Sequence, residues 1–291
     1  MPGTRADGGG ILPPRLYRLS AFTTTPAGGN PAGVWIGERL PAAGEMQRIA
    51  AELGYSETAF VAPLRGFERT VRYYSPEAEV PFCGHATIAA GVQLGRVEGP
   101  GDYRFETAAG IVPVAVRRGE HGMEATLTSV EPRHRAAPAA LVAQALAALR
   151  WRSAELDASI PPALAFAGAW HLVLAAASAG RLADLDYDFE ALKGLMLDAG
   201  LTTLQLVRRE APTLFHARNP FPVGGVVEDP ATGAAAAALG GYLRDAGLVA
   251  APVTLVVRQG EVMGRPSRLV VHVPPRGGIA VTGTAVPLDD A

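Results

Sequence analysis

Pro81-Phe82-Cys83-Gly84-His85-Ala86-Thr87 runs on into Ile88-Ala89-Ala90-Gly91-Val92, and the reading of this stretch decides the fold. Its start reads as the exit from a strand, Cys83-Gly84 as a tight small-residue turn, and the remainder as the entry to a helix. The first N–H groups of a helix have no partner inside it, so they point together at whatever lies in front, an arrangement that binds anions. The same grammar returns at Glu228-Asp229-Pro230-Ala231-Thr232-Gly233-Ala234-Ala235-Ala236. There the expected helix, 232–243, carries little but alanine and glycine on its faces, which suits a helix surrounded on all sides. If the two turns face each other, one cleft has a helix N-terminus on each wall and is suited to holding a carboxylate substrate.

The chain has 291 residues, enough for two domains or one large one, and the spacing of the two stretches favours two. Charged residues make up 19% and the apolar set 48%, a globular composition with material for a large core. Net charge is −2 and the basic residues are scattered, so no basic stripe points to nucleic acid or to a membrane surface. No apolar run approaches the ~20 residues needed to span a bilayer, and the stretch from Met1 to Gly10 lacks the apolar core of a signal peptide. The expectation is a cytoplasmic protein with a small-molecule partner.

Cys83 is the single cysteine, which excludes an internal disulfide and a cysteine-rich zinc site. The single lysine, Lys193, sits in an ordinary amphipathic helical pattern, whereas a pyridoxal-phosphate enzyme needs a buried lysine for its Schiff base. A Walker lysine motif, a Gly-x-Ser-x-Gly elbow, a paired-histidine zinc helix and a Gly-x-Gly-x-x-Gly after a first strand are all missing. Nucleotide and metal chemistry are therefore unsupported, and no cofactor or metal is expected.

Along the chain, 15–22 alternates as a strand and leads into a loop rich in turn formers through Gly29-Asn30-Pro31, where Asn30 can approach a ligand. A helix is expected over 43–53, stopped by Gly54. Tyr55-Ser56-Glu57-Thr58-Ala59-Phe60 then opens a strand with an acid at its mouth, among small and apolar residues that desolvate a carboxyl group. Glu57 is the leading catalytic candidate. His85 reads either as a core residue or as a neutral donor to a substrate, kept neutral by the positive end of its helix. Residues 103–116 form a hairpin, and 131–138 is a polar, proline-bearing linker between lobes.

The second half offers a helix over 139–149, a strand 169–174 in which His171 is structural, a helix over 188–199 and further strands. Arg218 reads as a partner for a substrate carboxylate or as an interdomain ion pair. Each half thus has several strands and one buried helix entered through a small-residue turn, a repeat of topology rather than of letters.

Ala21-Phe22-Thr23 with Gly29-Asn30-Pro31-Ala32, Ser56-Glu57-Thr58-Ala59-Phe60, Pro81 to Thr87, Glu228 to Gly233, and Gln259-Gly260 with Met263-Gly264-Arg265-Pro266-Ser267 jointly resemble the phenazine-biosynthesis PhzF-like isomerase family. The resemblance extends in order over about residues 15 to 285. It implies an α+β, diaminopimelate-epimerase-like fold: two pseudo-symmetric lobes, each a curled, mostly antiparallel sheet around a central helix, commonly as a homodimer. The corresponding boundaries are a flexible tail 1–12, an N-terminal lobe 13–130 and a C-terminal lobe 138–285, with a return of the C-terminal segment to the first lobe left open. The activity implied is cofactor-free proton transfer between carbons of a small carboxylate substrate, in the characterised member a dihydro-hydroxyanthranilate.

By motif, Glu57 is the general acid/base, and His85 and Asp229 position and assist the substrate. Asn30, Cys83, Gly84, Thr232, Gly233, Ala234 and Arg218 complete the expected binding site. The family often has serine where this chain has Ala234. Epimerases of the same fold use two facing thiols, which this chain cannot supply. The alternatives are a one-thiol epimerase or racemase of an amino or hydroxy acid, and a ligand-binding homologue without chemistry.

Overall fold

The structure, a computed structural model, describes residues 14–288, so the segment 1–12 read as a tail lies outside the described residues. The first lobe runs β1 (Arg15–Ala21), β2 (Asn30–Ile36), α1 (Ala43–Leu53), β3 (Glu57–Arg65), β4 (Glu68–Tyr74), β5 (Glu79–Val80), α2 (Gly84–Val97), β6 (Gly101–Thr107), β7 (Gly110–Gly119) and β8 (Gly122–Thr128). The second runs β9 (Arg133–Ala136), α3 (Ala139–Ala148), β10 (Ala163–Phe166), β11 (Trp170–Ala175), α4 (Ala179–Ala183), α5 (Phe189–Ala199), β12 (Thr203–Ala211), β13 (Leu214–Phe221) and β14 (Val226–Asp229). It continues through α6 (Gly233–Asp245), β15 (Val253–Gln259), β16 (Ser267–Val273) and β17 (Ala280–Pro287).

The two halves repeat strand for strand. The order β1-β2-β3-β4-β6-β7-β8 in the first corresponds to β10-β11-β12-β13-β15-β16-β17 in the second. In each, the second and third strands are parallel, as are the fourth and fifth, and the other neighbours are antiparallel. A short hairpin partner, β5 or β14, precedes the central helix of each lobe. Through Ala280–Thr284, β17 pairs with β8, and through Ala285–Pro287 it pairs with β1. The last strand thereby closes the first lobe into an eight-stranded barrel.

Both central helices are buried all round, which is why their sequences lack a polar face. In α2 every residue from His85 to Gly95 is buried, and in α6 every residue from Ala235 to Leu243. Small residues let the strands approach these helices: a Cβ at Gly95 would lie 2.5 Å from Val116 Cγ1, and one at Gly240 3.0 Å from Val271 Cγ1. One apolar core runs through both lobes around α2 and α6. A second core, with Leu146, Leu149, Leu172, Leu192 and Met196, lies between the second sheet and its outer helices. On the first lobe α1 covers Phe60 and Tyr74 with Met46 and Ala50.

The polar stretch 131–138 contains a strand where an aperiodic linker is expected. β9 pairs with β10, and the guanidinium groups of Arg133 and Arg135 lie over the rings of Phe166 and Trp170. Backbone pairing and cation–π contacts hold it, and neither leaves an apolar alternation in the sequence.

Candidate active site

The left-handed cap at Gly54 (φ 66°) ends α1 and turns the chain into β3, whose first residue is Glu57. Glu57 pairs with Ala32 of the parallel strand β2, and its side chain keeps 16% of its exposure. Glu57 Oε2 lies 3.4 Å from His85 Nε2, in the first turn of α2, and Ser56 Oγ is 3.3 Å from the same nitrogen. Cys83, the N-cap of α2, places Sγ 3.3 Å from His85 Nδ1 and 3.9 Å from Nε2, so the thiol lies against the imidazole. Burial, reinforced by the field of Glu57, pushes the Cys83 thiol well above its ordinary pKa, which keeps it protonated and a poor base.

Asp229 is the last residue of β14, beside the turn into α6. Asn30 Nδ2 donates to its Oδ1 at 2.8 Å across the lobes, and Thr232 Oγ1 donates to its Oδ2 at 2.5 Å. Burial raises the Asp229 carboxyl to about 6, the repulsion of Glu57 adding to it and His85, Thr232 and Asn30 opposing it. The group therefore titrates near neutrality, where a carboxyl can both hold and release a proton. Asn30 stands two residues before Ala32, the strand partner of Glu57, so its hydrogen bond to Asp229 brings that carboxyl to the wall that carries Glu57 and His85.

The N-termini of the two central helices meet at this cleft. A Cβ on Gly84 would stand 3.8 Å from Ala234 N and from Gly233 Cα. Of the residues expected at the site, Asn30, Glu57, Cys83, Gly84, His85, Asp229, Thr232, Gly233 and Ala234 are brought together. Arg218 is not, a correction to its reading as a carboxylate binder: Glu228 takes its Nε at 3.0 Å and its Nη2 at 2.5 Å, and the Ala183 carbonyl accepts from Nη1 at 2.6 Å. Glu228 and Asp229 are successive strand residues and point to opposite faces, so the partner of one is turned away from the other.

Two residues quoted in the sequence motifs without a role acquire one here. Gln259 Oε1 accepts the Thr232 N–H at 3.1 Å, while its Nε2 donates to the Asp229 carbonyl at 2.7 Å and to Thr232 Oγ1 at 3.0 Å. Arg265 donates to the carbonyls of Gly29 at 2.7 Å and Gly28 at 2.6 Å, tying the loop before Asn30 to the second lobe. Their partners lie far off in the chain, and no local pattern marks them. Ser56, beside the leading candidate, was legible only as a neighbour.

The sequence profile of the phenazine biosynthesis-like protein family, PhzC-PhzF, matches residues 19–291. The chain belongs to this family. An uncharacterized isomerase of Deinococcus radiodurans is 33% identical over 271 residues, covering 90% of this chain and 88% of that protein. The trans-2,3-dihydro-3-hydroxyanthranilate isomerase of Pseudomonas fluorescens is 30% identical over 251 residues, 86% of each chain. A Bacillus anthracis phenazine biosynthesis protein of the PhzF family superposes with a TM-score of 0.83 over 95% of this chain and 97% of that one, at 24% identity, and so shares the fold. The chain is thus an enzyme of the isomerase class. Among the described residues no helix is long and apolar enough to cross a membrane.

Within this PhzF-like architecture the internal repeat identifies what the second lobe lacks. Val80 pairs with Tyr73 and Asp229 with Asn219, each three residues before its helix N-cap, so the strand registers place Thr203 where Glu57 stands. Thr203 pairs with His171 as Glu57 pairs with Ala32. His171 Nδ1 is 2.8 Å from Thr203 Oγ1, and burial lowers the imidazole to about 3, so it stays neutral and structural. The position that carries the acid/base candidate in one lobe carries a buried hydroxyl in the other.

Proposed function

We propose that this chain is a cofactor-independent isomerase that moves a proton between two carbons of a small carboxylate-bearing substrate, with Glu57 as the general acid/base. The observation that carries the reading is the convergence of Glu57 and His85 from one lobe with Asp229 from the other where the two helix N-termini meet. Glu57 takes a proton from one carbon, so that a C–H bond breaks and an O–H bond forms. The double bond migrates, and the same carboxyl returns the proton to the second carbon. Backbone N–H groups at the starts of α2 and α6 stabilise the negative charge that develops meanwhile. His85 holds the Glu57 carboxyl from Nε2, and Asp229, titrating near neutrality, hydrogen-bonds the substrate from the facing wall.

The protonated Cys83 thiol weighs against a one-thiol epimerase, and retention of all three catalytic candidates weighs against a homologue without chemistry. The position of Ala234 offers no hydroxyl, so the substrate is one that does not depend on that contact.

The test is Glu57→Gln assayed on unsaturated and cyclic carboxylates, beginning with the dihydro-hydroxyanthranilate for which the Pseudomonas relative is named. The variant is expected to fold and bind normally and to lose ~10² to 10⁴ of the rate, the usual worth of a positioned acid/base. Turnover at the parent rate on a verified substrate overturns the assignment.

A further inference from the structure

Glu57, Cys83 and His85 form a cluster whose chemistry exceeds what proton transfer requires. They offer a carboxylate oxygen, a thiol sulfur and an imidazole nitrogen all within 4.8 Å of one another. This mixed S, N, O donor set is the one that suits zinc, and three protein ligands with an open fourth position is a familiar zinc arrangement. We propose that this cluster binds a borderline-soft divalent cation of the zinc class, and that its occupation silences the proton-transfer site.

The separations support it. Zinc–ligand bonds of about 2.0 to 2.3 Å in tetrahedral array put ligand atoms about 3.3 to 3.6 Å apart. Glu57 Oε2 and His85 Nε2 are 3.4 Å apart, the length of one such edge. Cys83 Sγ is 3.9 Å from His85 Nε2, slightly longer than the edge it would form, and 3.3 Å from Nδ1. All three donors belong to one lobe, on β3 and at the start of α2, so the site does not depend on how closely the lobes approach.

On binding, the Cys83 S–H bond breaks and its proton leaves to solvent as the sulfur–metal bond forms. His85, its ring proton passing from Nε2 to Nδ1, and the Glu57 carboxylate each supply a lone pair, and nothing is oxidised or reduced. The metal then holds the oxygen that must carry the substrate proton. The binding site stands independently of the proposed reaction, whereas the inhibitory consequence rests on Glu57 being the proton carrier.

Cobalt(II) is the probe, because a thiolate ligand gives it a near-ultraviolet charge-transfer band and Cys83 is the single cysteine able to produce one. His216 stands between Glu261 and Glu210, 2.7 Å from each, and His216→Ala serves as the background that removes thiol-free cobalt binding at this surface imidazole. Cobalt added to this protein is expected to give the charge-transfer band at one equivalent. Cys83→Ser, checked for folding by circular dichroism, should abolish the band and weaken binding about 100-fold, since even outer-shell losses cost 10- to 100-fold. Cobalt binding without the band, or no binding, overturns the site. If the band forms, equimolar zinc is expected to suppress turnover at least ~10-fold, reversibly with chelator, as a ligand holding the acid/base must. A band with undiminished turnover leaves the metal site standing and overturns its inhibitory role, and Glu57→Gln then separates the causes, since a variant that still loses ~10² of the rate keeps Glu57 as the acid/base.

Discussion

Cys83 and Thr232 hold the same station in the two lobes: each is the N-cap residue of its lobe's central helix. A reaction with two facing thiols would need cysteine at both, and a threonine hydroxyl cannot serve as the second base. Cys83→Ser is therefore expected to keep substantial turnover on a verified substrate, far above that of Glu57→Gln. Steady-state kinetics of both variants decide it, and a loss in Cys83→Ser as complete as in Glu57→Gln would promote the one-thiol epimerase.

Asp229 gives the fold a pH-dependent liability. Its carboxyl is raised from 3.8 to about 6 by burial, so the folded state favours the protonated form. The favourable contribution of that proton is fully present below the unfolded value and is lost as pH rises through the folded one. Asp229→Asn, which cannot ionise, should gain stability relative to the parent above pH ~6 by roughly 2 kcal/mol, the difference vanishing toward pH ~4. Urea denaturation at the two ends of that window measures it. A constant offset across the window would show that Asp229 does not titrate there.

Gln259 orders the turn that carries Asp229. Removing it as Gln259→Leu leaves the Thr232 N–H without its acceptor and frees the Thr232 hydroxyl from the contact that aims it at Asp229. A stability loss of roughly 1 to 3 kcal/mol is expected. Any limb of the pH–rate profile belonging to Asp229 should also move upward from about 6, because the Thr232 hydroxyl, no longer aimed by Gln259, stabilises the charged carboxylate less. A profile left in place would reduce Gln259 to a packing residue.

Arg218 should behave as structure. Its side chain is 11% exposed and that of its partner Glu228 3%, so Arg218→Ala strands a buried carboxylate and is expected to cost about 3 kcal/mol in chemical denaturation. KM for a verified substrate should stay within about twofold, since no uniform binding is lost. A large rise in KM with little loss of stability would return Arg218 to the substrate.

Much of this protein was legible from local sequence. Helices 84–97 and 233–245 announce themselves because a helix buried on every side must be small and apolar on every side, and a small-residue turn after a strand sets where it starts. The ordered set of short motifs identified the family, and it picked out Asn30, Glu57, His85 and Asp229, which the fold brings together, along with Arg218, which the fold turns to Glu228. What only the tertiary structure decided is which distant groups meet. Asn30 and Asp229 are 199 residues apart, and their hydrogen bond exists only because the two lobes pack with their helix N-termini together. The choice of Glu228 for Arg218, the station shared by Cys83 and Thr232, the strand within the charged stretch at 133–136 and the return of β17 to close the first barrel belong to the same class. Each depends on strand register and sheet closure, which are set by the summed packing of segments remote in the chain and not by the residues beside them.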